Sequence, residues 1–169
     1  MGNDLWGHRH PPPTGADTVL VGRWEPAGIA DLTRARRRLA ADLQHAAGAD
    51  GGAVERLLLV FEEIGSNALR HGGAPVDITV CSFGNYWLLE VGDTDVSTPP
   101  TPAVDRDAAD GGLGLYLVGQ ICGAHGWYVD GTRKVAWARI DYTRAEAPPE
   151  VTASLPRPSL ARSGSASAP

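Results

Sequence analysis

Two kinds of apolar spacing alternate along the chain. TVLVGRW, residues 18–24, reads as a first strand, and Pro26 and Gly28 break it. From Ile29 the spacing becomes three and four: Ile29, Leu32, Ala35, Leu39 and Leu43 fall on one side of a helix, with Arg34, Arg37 and Arg38 largely on the other. GADGG ends that helix. A second is predicted from about Ala53 to His71, where Leu57, Phe61, Ile64 and Ala68 form an apolar stripe that Leu58 and Leu69 extend, and Gly72-Gly73 closes it. VDITVCSFGNYWLLEVGD then alternates on both sides of Phe83-Gly84-Asn85, a hairpin pattern. Residues 94–110 have no periodicity, and a loop of that length inside a compact domain is usually functional or mobile. GGLGLYLVGQICGAHG reads as a third helix that begins at glycines, and WYVDG with RKVAWARIDY as a closing hairpin. The order βαα, ββ, loop, α, ββ predicts an α/β two-layer sandwich, a mixed, mostly antiparallel sheet with helices on one face.

Composition sets the limits of that domain. Residues 1–17 are polar with a Pro triplet, and residues 145–169 are rich in Pro, Ala and Ser; both are expected to be disordered tails, which leaves 18–144 as the folded part. At 169 residues and 43% hydrophobic, the chain suffices for one domain with its own core. Its net charge of -5 argues against nucleic acid as a direct partner, since phosphate binding normally shows as a basic excess. Of the 15 basic residues, Lys134 alone is a lysine. The first residues lack the apolar segment of a signal peptide, and no run approaches the roughly 18 apolar residues of a membrane span, so a cytoplasmic location is expected. Cys81 and Cys122 each lie in an apolar run and read as small buried hydrophobes, not a disulfide.

The chemistry concentrates in EEIGSNALRHGG, residues 62–73. Glu63 and Asn67 are four apart on one helical face, and Arg70 joins them beside the apolar stripe. A carboxylate next to apolar surface is costly unless something charged sits there, although a Glu–Asn pair taken alone is commonly a surface pair. Further along, Asp93 closes a strand, and Gly111-Gly112-Leu113-Gly114 opens a helix. Glycines there allow backbone N–H groups to approach an anion that the helix dipole favours.

This ordered set resembles the ATP-binding domain of the GHKL superfamily, which includes gyrase, histidine kinases, a chaperone and a mismatch-repair ATPase. Within it the chain is most similar to the stand-alone anti-sigma-factor serine kinases of bacterial partner switching. EEIGSNALRHG resembles their N-box, VGDTD a G1 box and DGGLGLYLV a G2 box, over roughly residues 19–141. The resemblance implies ATP and Mg²⁺ as cofactors. Asn67 would offer its amide oxygen to the Mg²⁺, a hard cation that keeps several waters. Glu63 would face the γ-phosphate and accept the proton of an incoming serine hydroxyl, or orient it. Arg70 and His71 would meet phosphate, His71 being equally readable as a helix-end cap or a core residue. Asp93 would accept from the adenine amino group and so favour ATP over GTP. Gly112, Leu113, Gly114 and Leu115 would line the phosphates, with residues 94–110 as a lid. The partners implied are a sigma factor, a small anti-anti-sigma-type protein phosphorylated on serine, and a second copy of the chain, with no membrane contact. Arg34, Arg37 and Arg38 offer one partner surface.

The chain departs from this pattern at two places. The G1 box usually reads Asp-x-Gly-x-Gly, whereas residues 93–97 are Asp-Thr-Asp-Val-Ser. The family often has a Thr near the last strand where this chain has Arg133-Lys134-Val135-Ala136, Thr132 being a weak substitute. A partner-binding module with weak or no nucleotide binding is therefore the alternative reading. An isolated histidine-kinase catalytic domain is a third, opposed by the absence of a helix with a phospho-accepting His ahead of it; His8 and His10 lie in a Pro-rich stretch.

Overall fold

The computed structural model describes residues 6–45, 49–102 and 113–142. The elements follow in the expected order: β1 (Val19–Trp24), α1 (Ile29–His45), α2 (Gly51–His71), β2 (Asp77–Ser82), β3 (Tyr86–Asp93), α3 (Leu113–Ile121), β4 (Ala124–Asp130) and β5 (Arg133–Asp141). The five strands form one sheet in the order β1-β2-β3-β5-β4. Every pairing between them is antiparallel, so the sheet is not mixed as expected. The architecture is otherwise the α/β two-layer sandwich that the pattern predicts.

Alternation decides which side of each strand meets the helices. Ile78 and Val80 on β2, Leu89 and Val91 on β3, and Ala136, Ala138 and Ile140 on β5 are all buried in one core with Leu57, Phe61, Ile64 and Ala68 of α2. The register places Val80 opposite Leu89 and Val91 opposite Ala136, so these apolar side chains share the helix-facing surface. α1 adds Leu32, Ala35, Leu39 and Leu43, whereas Ile29, counted in the same stripe, is 42% exposed in the first turn. The two helices approach closely at Gly65, where a Cβ would come within 2.7 Å of Leu32 Cδ1. Asp50 caps α2 by accepting from the Ala53 N–H at 2.8 Å. At the other end the Gly72 N–H donates to Ala68 O at 2.8 Å.

The segment ahead of β1 differs from expectation. From Trp6 onward it packs on the fold. Gly7 O accepts from the Trp127 N–H and the Arg9 N–H donates to Trp127 O, which sets the segment parallel to β4 along that edge of the sheet. Trp6 is 1% exposed within the core, and its Nε1 donates to Leu115 O at 3.1 Å. Trp127 Nε1 in turn donates to Trp6 O, and Trp137 Nε1 to Arg9 O. Polar composition hid one large aromatic residue whose burial outweighs the segment's ordering cost. The other boundary difference is local. β4 begins at Ala124, inside the stretch assigned to the third helix, because α3 ends at Ile121. The tail at 145–169 lies outside the described residues.

Both cysteines are free and partly buried. Burial pushes the Cys122 thiol up to about 12, and the Cys81 thiol is raised by burial and then by the charge of Glu90. No helix among the described residues is long and apolar enough to cross a membrane.

Candidate functional site

Two elements that are far apart in sequence meet at Glu63. A Cβ on Gly114, in the first turn of α3, would come within 2.5 Å of Glu63 Cδ and overlap its carboxylate. The carboxylate thus lies against the start of α3, and only a glycine leaves room for it. Burial raises the Glu63 carboxyl above its usual value, Glu62 raises it further, and Arg70 lowers it in part. The charge of Arg70, two turns along α2, is therefore felt at Glu63, as the shared face predicts. Asn67 stands between them, partly buried, with no partner for its amide among the described residues. Arg70 and His71 are exposed in the last turn of α2.

Of the remaining phosphate-side residues, Gly112 lies outside the described residues, and Leu113 is described only as the start of α3. The Leu115 side chain is 3% exposed in the core, and its carbonyl is taken by Trp6, so Leu115 contributes packing to this end of the site and its side chain does not reach it. Nearly half of the expected lid, residues 103–110, also lies outside the described residues.

The other end of the site holds a residue that sequence reasoning noted only as a departure. Lys134 on β5 is directly opposite Asp93 on β3, on the helix-facing side of the sheet. Its Nζ lies 3.3 Å from Asp93 Oδ2, and the two side chains are 5% and 4% exposed. The same ammonium donates to Thr98 O at 2.8 Å. Asp93 Oδ1 accepts from the Asp95 N–H at 2.8 Å. Gly72, at the end of α2, packs on the carboxylate, since a Cβ there would come within 2.5 Å of Asp93 Cγ. The segment after Asp93 is tied down further: the Thr94 N–H donates to Gly73 O, and the Ser97 N–H and hydroxyl donate to Asp95 Oδ1. Hydrogen bonds from Ser97 and Thr98 hold the Asp95 carboxyl at about 2.

The signal for Lys134 was present in the strand pattern. Lys134, Ala136, Ala138 and Ile140 share one parity, so the chain's single lysine falls on the core face of its strand. A buried ammonium requires a buried anion, and the register supplies Asp93.

A concavity of about 370 Å³ opens on the opposite face of the sheet, away from Glu63 and Asn67. Several of its polar residues are already engaged: Arg133 pairs with Asp77, Arg23 lies 3.9 Å from Asp77, and the Tyr128 hydroxyl donates to Glu90.

The two ends of the helix-side site differ in their fitness for a magnesium nucleotide. At the phosphate end the Glu63 carboxylate meets Gly114 in the first turn of α3, and Asn67, one turn along α2, has no partner for its amide among the described residues, which fits. At the base end both oxygens of Asp93 are already engaged beneath a covering segment, which does not fit a base in this conformation. No curated protein matches the chain in sequence. The pattern of the histidine kinase-like ATPase domain matches residues 26–139, more than half of the chain, and takes in α2, β3, Gly114 and all but the last two residues of β5. The chain belongs to the histidine kinase-like ATPase domain family.

Proposed function

We propose that this chain is an ATP-binding regulator that phosphorylates a partner protein on serine and also binds a sigma factor. The observation that carries the reading is the placement of Glu63 against the first turn of α3, with Asn67 one helical turn away on the same face. Mg²⁺-ATP, when bound, would supply the phosphoryl group and the charge-neutralising cation. Asn67 would provide one neutral oxygen to the cation. The start of α3 would receive phosphate oxygens on its backbone N–H groups. Glu63, held above its usual carboxyl range by burial, is a stronger base than an exposed carboxylate and suits a role at a hydroxyl proton. Such a base is worth about 10²–10⁴ in rate. The sigma factor, the serine-bearing antagonist and pairing with a second copy rest on the resemblance in the N-box, G1 and G2 segments.

Mass spectrometry of phosphate transfer from ATP to a serine of a candidate antagonist tests this directly. Glu63→Gln is expected to stop transfer while leaving ATP affinity within several-fold, and Asn67→Ala to lose both. Undiminished transfer by Glu63→Gln would remove Glu63 from this role. A second reading, a partner-binding module that works without nucleotide, is favoured by the engagement of Asp93 with Lys134.

A further inference from the structure

The geometry points to Lys134 as a latch that closes the base end of the site, so that nucleotide enters only when the Asp93–Lys134 pair opens. This inference rests on the nucleotide reading above and adds a residue that controls access. Lys134 joins three parts of the fold. It is anchored on β5, pairs with Asp93 at the end of β3, and donates to Thr98 O at the far end of the segment that follows Asp93. Asp93 binds the near end of that segment through the Asp95 N–H. Two side chains thus fasten residues 95 and 98 from below, and the Asp95–Ser97 bonds make the stretch between them a compact turn.

The consequence follows from burial. With the pair 5% and 4% exposed and both carboxylate oxygens engaged, Asp93 is covered against an arriving base. An adenine amino group can reach Asp93 only if Lys134 withdraws and residues 94–98 lift together, because the same ammonium holds both. An ammonium on a four-carbon stem can do this: it carries three donors and a flexible chain, and the turn it holds is partly open to solvent, with Val96 42% exposed. A site that is open only a fraction of the time has its apparent affinity reduced by that fraction. If the open form is about one molecule in ten or fewer, removing the latch tightens binding by about tenfold or more.

The test is Lys134→Thr, with Lys134→Gln beside it, since the amide keeps a donor for Asp93 and guards against loss of folding in the threonine variant. Two readouts separate the latch from the nucleotide reading. Hydrogen exchange without nucleotide should show the amides of Asp95, Val96 and Ser97 losing protection in both variants, more in the threonine one. Titration with Mg²⁺-ATP should show at least a tenfold lower dissociation constant for Lys134→Thr than for the wild type, with Lys134→Gln between. Equal affinities and unchanged exchange would overturn the latch and leave the nucleotide site standing. Binding to none of the three proteins, each shown to be folded, would overturn the nucleotide reading and the latch with it.

Discussion

Replacing Trp6 by alanine probes how the region ahead of β1 supports the site. The indole is 1% exposed and packs in the core with a tilted contact to His125, ring centroids 5.0 Å apart. Truncating a fully buried tryptophan costs about 3–5 kcal/mol in lost transfer energy and cavity. That range includes the loss of the Nε1 bond to Leu115 O, about 1 kcal/mol where water cannot replace it. An upper bound comes from topology. The segment lies outside the five-stranded order and bridges only the β4 edge, so it can detach before the sheet unfolds, and the loss cannot exceed the free energy of docking it. We therefore expect about 3–5 kcal/mol, or a fall in Tm of roughly 10–20 °C for a domain of this size. Urea unfolding followed by circular dichroism measures it. Trp6→Phe keeps most of the apolar contact but loses the N–H, and should cost about 1–2 kcal/mol. Because Leu115 follows Gly114, Trp6→Ala should also speed amide exchange in the first turn of α3, where Glu63 rests. A loss below about 1 kcal/mol with unchanged exchange in α3 would refute the assignment of this segment to the fold.

Other substitutions test the site itself. Gly114→Ala should fold with nearly wild-type stability, because the clash falls on the movable end of Glu63, yet weaken nucleotide binding and transfer by displacing that carboxylate; full activity would contradict the placement. The folded state holds the Glu63 proton more tightly than the unfolded chain does. Its stabilising contribution is thus complete below the usual 4.5 and is lost as pH rises through the higher folded value. Glu63→Gln should accordingly raise Tm at neutral pH, with the gain shrinking as pH falls towards 4.5, and an unchanged neutral Tm would count against burial of the charge. In the Lys134→Thr background, where Asp93 is free to meet a base, ATP should bind more tightly than GTP by roughly 1–3 kcal/mol, as competition titrations would show; parity would exclude Asp93 as the base acceptor. Cys122 should react slowly with a thiol reagent at neutral pH and rapidly after denaturation, and fast native labelling would contradict its burial.

The helices and hairpins were legible because their signals are periodic. Leu57, Phe61, Ile64 and Ala68 fall on one helical face whatever they pack against, and all four are buried. The Glu63–Asn67 face was legible for the same reason. The approach of Glu63 to Gly114 was only a conjunction of motifs in sequence, since nothing local states that α2 and α3 meet. Trp6 was hidden because an isolated aromatic in a polar stretch has no period, and its partners, Leu115 and Trp127, are more than a hundred residues away. Lys134 was half legible. Strand parity places it inward, but only the β3–β5 register, a long-range pairing, identifies Asp93 as its partner.

The most direct measurement is a calorimetric titration of ATP into the wild-type chain and Asn67→Ala, each with and without Mg²⁺. The account predicts weak, magnesium-dependent binding to the wild type that Asn67→Ala abolishes. Binding that is indifferent to Asn67 or to magnesium, or no binding up to millimolar ATP, would contradict it.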